Sequence, residues 1–131
     1  MMFEVPGKPV PKARPRLGRN GSVYTPATTT AFEKTVARYA KAAGVKPASG
    51  PISLEIVSEF SIPKTWTKAR KSNANGQPHM CRPDLDNLTK SVLDGLNGIA
   101  FADDAQVYCV THRKIRSADC GPGRTIVRII E

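Results

Sequence analysis

The sequence predicts a single small α/β domain, built on a mixed β-sheet with about two main helices. Three observations carry this. The length of 131 residues suits one domain with one modest core. Apolar residues alternate at period two in some stretches and recur at three and four in others. Those stretches follow one another as strand, helix, strand, helix, strand, strand, an order that favours a layered α/β architecture.

Phe3 to Val5 is read as a first strand, cut off by Pro6-Gly7. Residues 7–26 hold several prolines, glycines and basic groups, so they are read as a basic loop or arm with a hairpin at Arg19-Asn20-Gly21. Thr28 to Ala43 is predicted as a helix, because Phe32, Val36, Tyr39 and Ala43 are spaced four, three and four apart. Gly44 is its expected C-cap. After the turn Pro47-Ala48-Ser49-Gly50-Pro51, Ile52 to Phe60 alternates as a strand, with Ile52, Leu54, Ile56 and Ser58 on one face.

A short helix from Thr65 to Lys71 is expected next, followed by a mobile loop. A second main helix is predicted from Leu85 to Asn97, on the seam Leu85, Leu88, Val92, Leu96 and Ile99. Val107 to Ile115 and Arg124 to Ile130 read as closing strands around a Gly-Pro-Gly turn.

Composition narrows the function. The chain carries 20 Lys+Arg against 11 Asp+Glu, a formal net charge of +9. That excess points to a polyanionic partner. No stretch approaches the ~18 apolar residues of a membrane span, and MMFEVPGKPV lacks a secretory h-region. Three cysteines without CxxC spacing argue against a disulfide framework. A soluble, cytoplasmic domain is therefore expected.

The charge is unevenly distributed. Residues 1–50 carry nine basic and two acidic groups, whereas residues 81–107 carry two basic and five acidic ones. Asp84, Asp86, Asp94, Asp103 and Asp104 repel one another unless cations sit among them, and a divalent metal is an obvious candidate. At about 100° per residue, Asp86, Lys90, Asp94 and Asn97 share a sector of roughly 80°, apart from the apolar seam. A plain structural account is available: Asp84 caps the helix, Asp86 meets the positive end of its dipole, and Asp86–Lys90–Asp94 form i,i+4 ion pairs. Asp103-Asp104 fits a turn. Brought together, the two acidic pairs would instead offer hard oxygen ligands suited to Mg²⁺ or Mn²⁺, and so to phosphodiester hydrolysis.

The stretch Asp84-Leu85-Asp86-Asn87-Leu88-Thr89-Lys90, then Leu93-Asp94-Gly95-Leu96, then Asp103-Asp104-Ala105-Gln106 resembles the signature of RusA-type Holliday junction resolvases. That signature runs Asp-x-Asp-Asn-x-x-Lys, Leu-Asp-x-Leu, Asp-Asp-x-Gln. Pro6-Gly7-x-Pro9-x-x-Lys12-x-Arg14-Pro15-Arg16 and Tyr24-Thr25-Pro26 also look like family features.

The resemblance implies one endonuclease domain over residues 1–131. It implies Asp84, Asp86 and Asp104 as metal-binding carboxylates, with Asp103 assisting or holding the turn, and Lys90 at the scissile phosphate. It further implies Mg²⁺ as cofactor, with Mn²⁺ an alternative, a homodimer, and paired nicks across a four-way DNA junction in recombination and repair. The runner-up is a non-catalytic or differently specific branched-DNA-binding protein.

Lys8, Lys12, Arg14, Arg16 and Arg19 of the arm are expected to contact DNA phosphates, as are Lys68, Arg70 and Lys71 before the acidic site. Trp66 is expected to pack rather than stack on a base. A zinc site from His79-x-Cys81 and Cys109-x-x-His112 is disfavoured, because positions three apart on a strand face opposite sides.

Overall fold

The computed structural model describes residues 1–13, 16–19, 21–24 and 26–131, without the side chains of Arg16 and Tyr24. Strands β1 (Met2–Pro6), β4 (Ile52–Ser61), β5 (Val107–Ser117) and β6 (Gly123–Ile130) form one mixed sheet in the order β1-β6-β4-β5. β6 pairs antiparallel with both β1 and β4, and β4 pairs parallel with β5. A parallel pair needs a long crossover. Here the crossover carries α2 (Lys68–Ala74) and α3 (Leu85–Leu96). β2 (Arg16–Leu17) and β3 (Val23–Tyr24) form the expected small hairpin inside the basic arm, and α1 (Ala27–Ala42) follows it.

Alternation explains the layers. Ile52, Leu54 and Ile56 of β4 join Val127 and Ile129 of β6 and Phe3 and Val5 of β1 on one face. Phe32, Val36 and Ala40 of α1 and Val92 and Leu96 of α3 cover that face, and Phe101 fills the end. The other face carries the ion pairs Arg124–Glu59 at 2.6 Å and Arg128–Glu55 at 3.4 Å.

α1 ends as expected on Gly44, whose φ of +85° closes a Schellman turn. Gly44 N donates to Lys41 O and Val45 N to Ala40 O.

Three local expectations change. The short helix is shifted three residues along, because Thr67 takes the N-cap and its hydroxyl accepts from Arg70 N at 3.2 Å. The stretch after α2 is stitched to the edge of β5, Gly76 N donating to Arg116 O and His79 N to Lys114 O. Leu85 is 39% exposed rather than part of the core seam, because the first turn of α3 overhangs the sheet edge beside Val110 and His112.

Candidate functional site

Asp84 stands at the N-cap position of α3 in an extended conformation, yet its side chain makes no capping hydrogen bond. Asp86 lies in the first turn. Neither carboxylate has a hydrogen bond or ion pair among the described residues. A cap role therefore does not account for Asp84, and the Asp86–Lys90 pair is not formed. The peptide leading into Asp84 is fixed from the sheet: Lys114 Nζ donates to Cys81 O at 2.9 Å and to Pro83 O at 2.7 Å.

Lys90 bridges the two acidic segments. Its Nζ lies 3.2 Å from Asp94 and 3.1 Å from Asp104. Asp94 also meets Lys12 at 3.0 Å, and Lys12 reaches Glu33 at 2.8 Å. Charges thus alternate along Asp104, Lys90, Asp94, Lys12 and Glu33. The bond to Asp104, then that to Asp94, raises the Lys90 pKa. The same Lys90 bond holds the Asp104 carboxyl below the usual range. Glu33 does most to raise Lys12. Lys90, Lys12 and Asp104 are thereby held in their charged forms near neutral pH.

The Asp103-Asp104 pair divides its work. Asp103 N-caps the 3₁₀ turn Asp104–Gln106, its carboxylate accepting from Ala105 N at 3.1 Å. Gln106 Oε1 accepts from Ala102 N and Asp103 N, while its Nε2 donates to Ala48 O and Gly50 O. Gln106 therefore ties the turn to the start of β4, and Asp104 is left facing Lys90.

Under the first turn of α3 lies a group outside the expected site. His112 Nδ1 is 2.6 Å from Thr89 Oγ1 and its Nε2 is 2.8 Å from Ser58 Oγ. Thr89 donates in turn to Leu85 O at 3.0 Å. Burial, with Lys114 adding to it, lowers the His112 pKa to about 4, so the ring is neutral. Both ring nitrogens are engaged with hydroxyls, which leaves none for zinc. Cys81 and Cys109 are exposed thiols. Lys114 carried no usable signal in the sequence and His112 only a zinc spacing, since both act across elements, Lys114 on the peptide before α3 and His112 on Ser58 of β4 and Thr89 of α3.

The expected DNA contacts fall into separate groups. Lys12 is engaged by carboxylates. Lys8 lines a hollow with Asp84 and Asn87. Arg19 is exposed in the hairpin turn. Lys68 and Arg70 are exposed on α2, with Lys71 half-buried. The Arg70 guanidinium stacks 3.6 Å over Trp66, and Arg116 lies 5.0 Å from the same ring. Trp66 thus packs, as expected. Arg14, the Arg16 side chain and Thr25 lie outside the described residues.

Among the described residues, no group of three or more His, Cys, Asp or Glu side chains lies close enough to hold a metal ion. The donor chemistry still suits a hard cation. Asp84 and Asp86 offer oxygen ligands with no competing partner, and Asp104 is held by one lysine.

Among the described residues, no helix is long and apolar enough to cross a membrane. Residues 6–130 match the family described as Endodeoxyribonuclease RusA. The chain is also similar to the Uncharacterized protein YqaN of Bacillus subtilis (strain 168), with 34% identity over 125 residues, 89% of this chain and 88% of that protein.

Proposed function

The chain belongs to the RusA family of endodeoxyribonucleases, and from that premise we propose that it resolves four-way Holliday junctions by paired, symmetric, divalent-metal-dependent nicks. The observation that carries this is the start of α3. Among the described residues two carboxylates there have no hydrogen-bond or ion-pair partner, and Lys90, one helical turn past Asp86, is paired with the third acid.

In this reading Asp84, Asp86 and Asp104 would hold Mg²⁺, or Mn²⁺ in its place. A bound divalent ion supplies a water acidic enough to attack at neutral pH and charge to stabilise the leaving oxygen. With Asp104 serving as a ligand, Lys90 would be free to meet the scissile phosphate. Its ammonium then offsets the charge that develops on the non-bridging oxygens. Asp94 keeps a second hold on Lys90 and sets its direction. Asp103 holds the turn.

A homodimer suits a two-fold substrate, since it presents two equivalent sites to strands of like polarity. The arm and α2 supply cations to the DNA arms. The setting is DNA recombination and repair inside the cell.

The test uses purified protein and a synthetic mobile four-way junction, with Mg²⁺ or with EDTA. Symmetric nicks should appear only with Mg²⁺ and vanish in Asp86→Asn, while junction binding by that variant survives. Binding without nicks under every divalent ion tried would leave a branched-DNA-binding protein. Preferential cutting of flaps would move the reading to a different branched substrate.

A further inference from the structure

Beside the acidic helix start, the surface carries a small basic cavity that the proposed chemistry does not use. It measures about 190 Å³ and is lined by Lys8, Phe60, Ser61, His79, Arg82 and Pro122. Lys8 and Arg82 also line the adjoining hollow of about 400 Å³ that reaches Asp84. The two spaces thus share a pair of cations, with the acidic site at the far end.

Those cations are uncompensated. Among the described residues neither Lys8 nor Arg82 has an ion pair, whereas Lys12 in the same hollow is matched by Glu33 and Asp94. Burial first, then Arg116, Lys114 and Lys8, lowers the pKa of His79, as expected where positive charge lacks a counter-ion. His79 stacks on Phe60 at 4.2 Å, and its buried Nδ1 has no hydrogen-bond partner among the described residues.

The backbone carrying these groups is fixed. Lys114 Nζ holds the carbonyls on either side of Arg82, those of Cys81 and Pro83. Gly7 N donates to Gly123 O at 3.0 Å, and a Cβ on Gly123 would lie 2.8 Å from Lys8 Cα. His79 N is bonded to Lys114 O. Side chains rooted on a fixed backbone have less freedom to lose on meeting an anion.

We propose that Lys8, His79 and Arg82 form a receptor for one backbone phosphate of the DNA strand that passes Asp84, a neighbour of the phosphate being cut. This rests on the endonuclease reading and adds a register contact to it. Asp84 repels an anion at its own end of the hollow, so the uncut phosphate settles at the Arg82 end. A strand anchored there presents a defined neighbouring linkage to the acids.

The test reads binding in EDTA, so it does not depend on nicking. Single uncharged methylphosphonates are placed in turn along one junction strand. For the wild-type protein, one position near the cut should weaken binding about tenfold, as removal of a charge-assisted hydrogen bond does. Lys8→Gln/Arg82→Gln should bind more weakly and show no further loss at that position, while keeping the wild-type response elsewhere. An unchanged profile, or an equal loss at every position, overturns the proposal. So does Arg82-dependent binding of inorganic phosphate alone without a sensitive position. Loss of junction preference in the wild-type protein would instead count against the endonuclease reading, with the scan still readable on duplex DNA.

Discussion

His112 is a neutral ring held between the hydroxyls of Ser58 and Thr89, with its pKa lowered to about 4. In the unfolded chain it titrates near 6.5. The stabilisation is complete above pH 6.5 and is lost as pH falls from 6.5 towards 4, because the unfolded state takes up the proton first. The shift corresponds to at most about 3 kcal/mol, and partial solvent contact reduces this to roughly 2. Urea midpoints measured between pH 7 and pH 4 should fall more steeply for the wild type than for His112→Gln, whose amide retains hydrogen-bonding capacity. Parallel curves would remove His112 as the cause. In the sequence this residue was visible only as half of a zinc spacing. Its partners sit on β4 and α3, and no local period reports a contact between elements so far apart along the chain.

Gly95 sits where α3 crosses α1. A Cβ there would lie 2.9 Å from Val36 Cβ and 3.0 Å from Glu33 O. Gly95→Ala gains about 1 kcal/mol of helix propensity. Overpacking against a β-carbon and a backbone carbonyl costs about 1 to 3 kcal/mol. The second effect wins, so the variant should lose about 1 kcal/mol by urea unfolding at constant m-value; stabilisation would mean that the helices separate easily. At this scale most of the molecule was legible. Long periodic segments such as Ile52–Ser61 and Ala27–Ala42 state their own type. Asp84 and Asp86 were legible because a helix start places near neighbours together. Asp104 was legible as an acid, but its pairing with Lys90 was not. That contact depends on Gln106 bonding the carbonyls of Ala48 and Gly50, far back in the chain. The start of α2 was missed because Thr65 and Thr67 offer equivalent caps, and only the turn Trp66 N to Pro63 O selects the second.

Across the whole molecule, both main helices lie on one face of the sheet, and Asp84 and Asp86 sit at the start of α3, where the root of the basic arm meets it through Lys12 N and Asn87 O. The excess of +9 is therefore arranged around a negative centre rather than spread evenly. Counterion release makes a prediction at this scale. Arg14→Gln/Arg16→Gln should weaken junction binding and reduce the slope of log K against log salt, by up to about 0.9 for each phosphate that no longer meets a cation. An unchanged slope would mean that the arm does not touch the DNA. The root of the arm has one further consequence. Val10 O accepts from Ser91 Oγ, Lys12 N donates to Asn87 O, and Pro11 O and Ala13 N both meet the hydroxyl of Thr29, three residues past Pro26 where the arm rejoins the body. Entrance and exit are clasped at one point. A loop of another length or sequence grafted onto the same clasp should therefore leave the body folded as before, so that any change in DNA binding by such a chimera would belong to the arm itself.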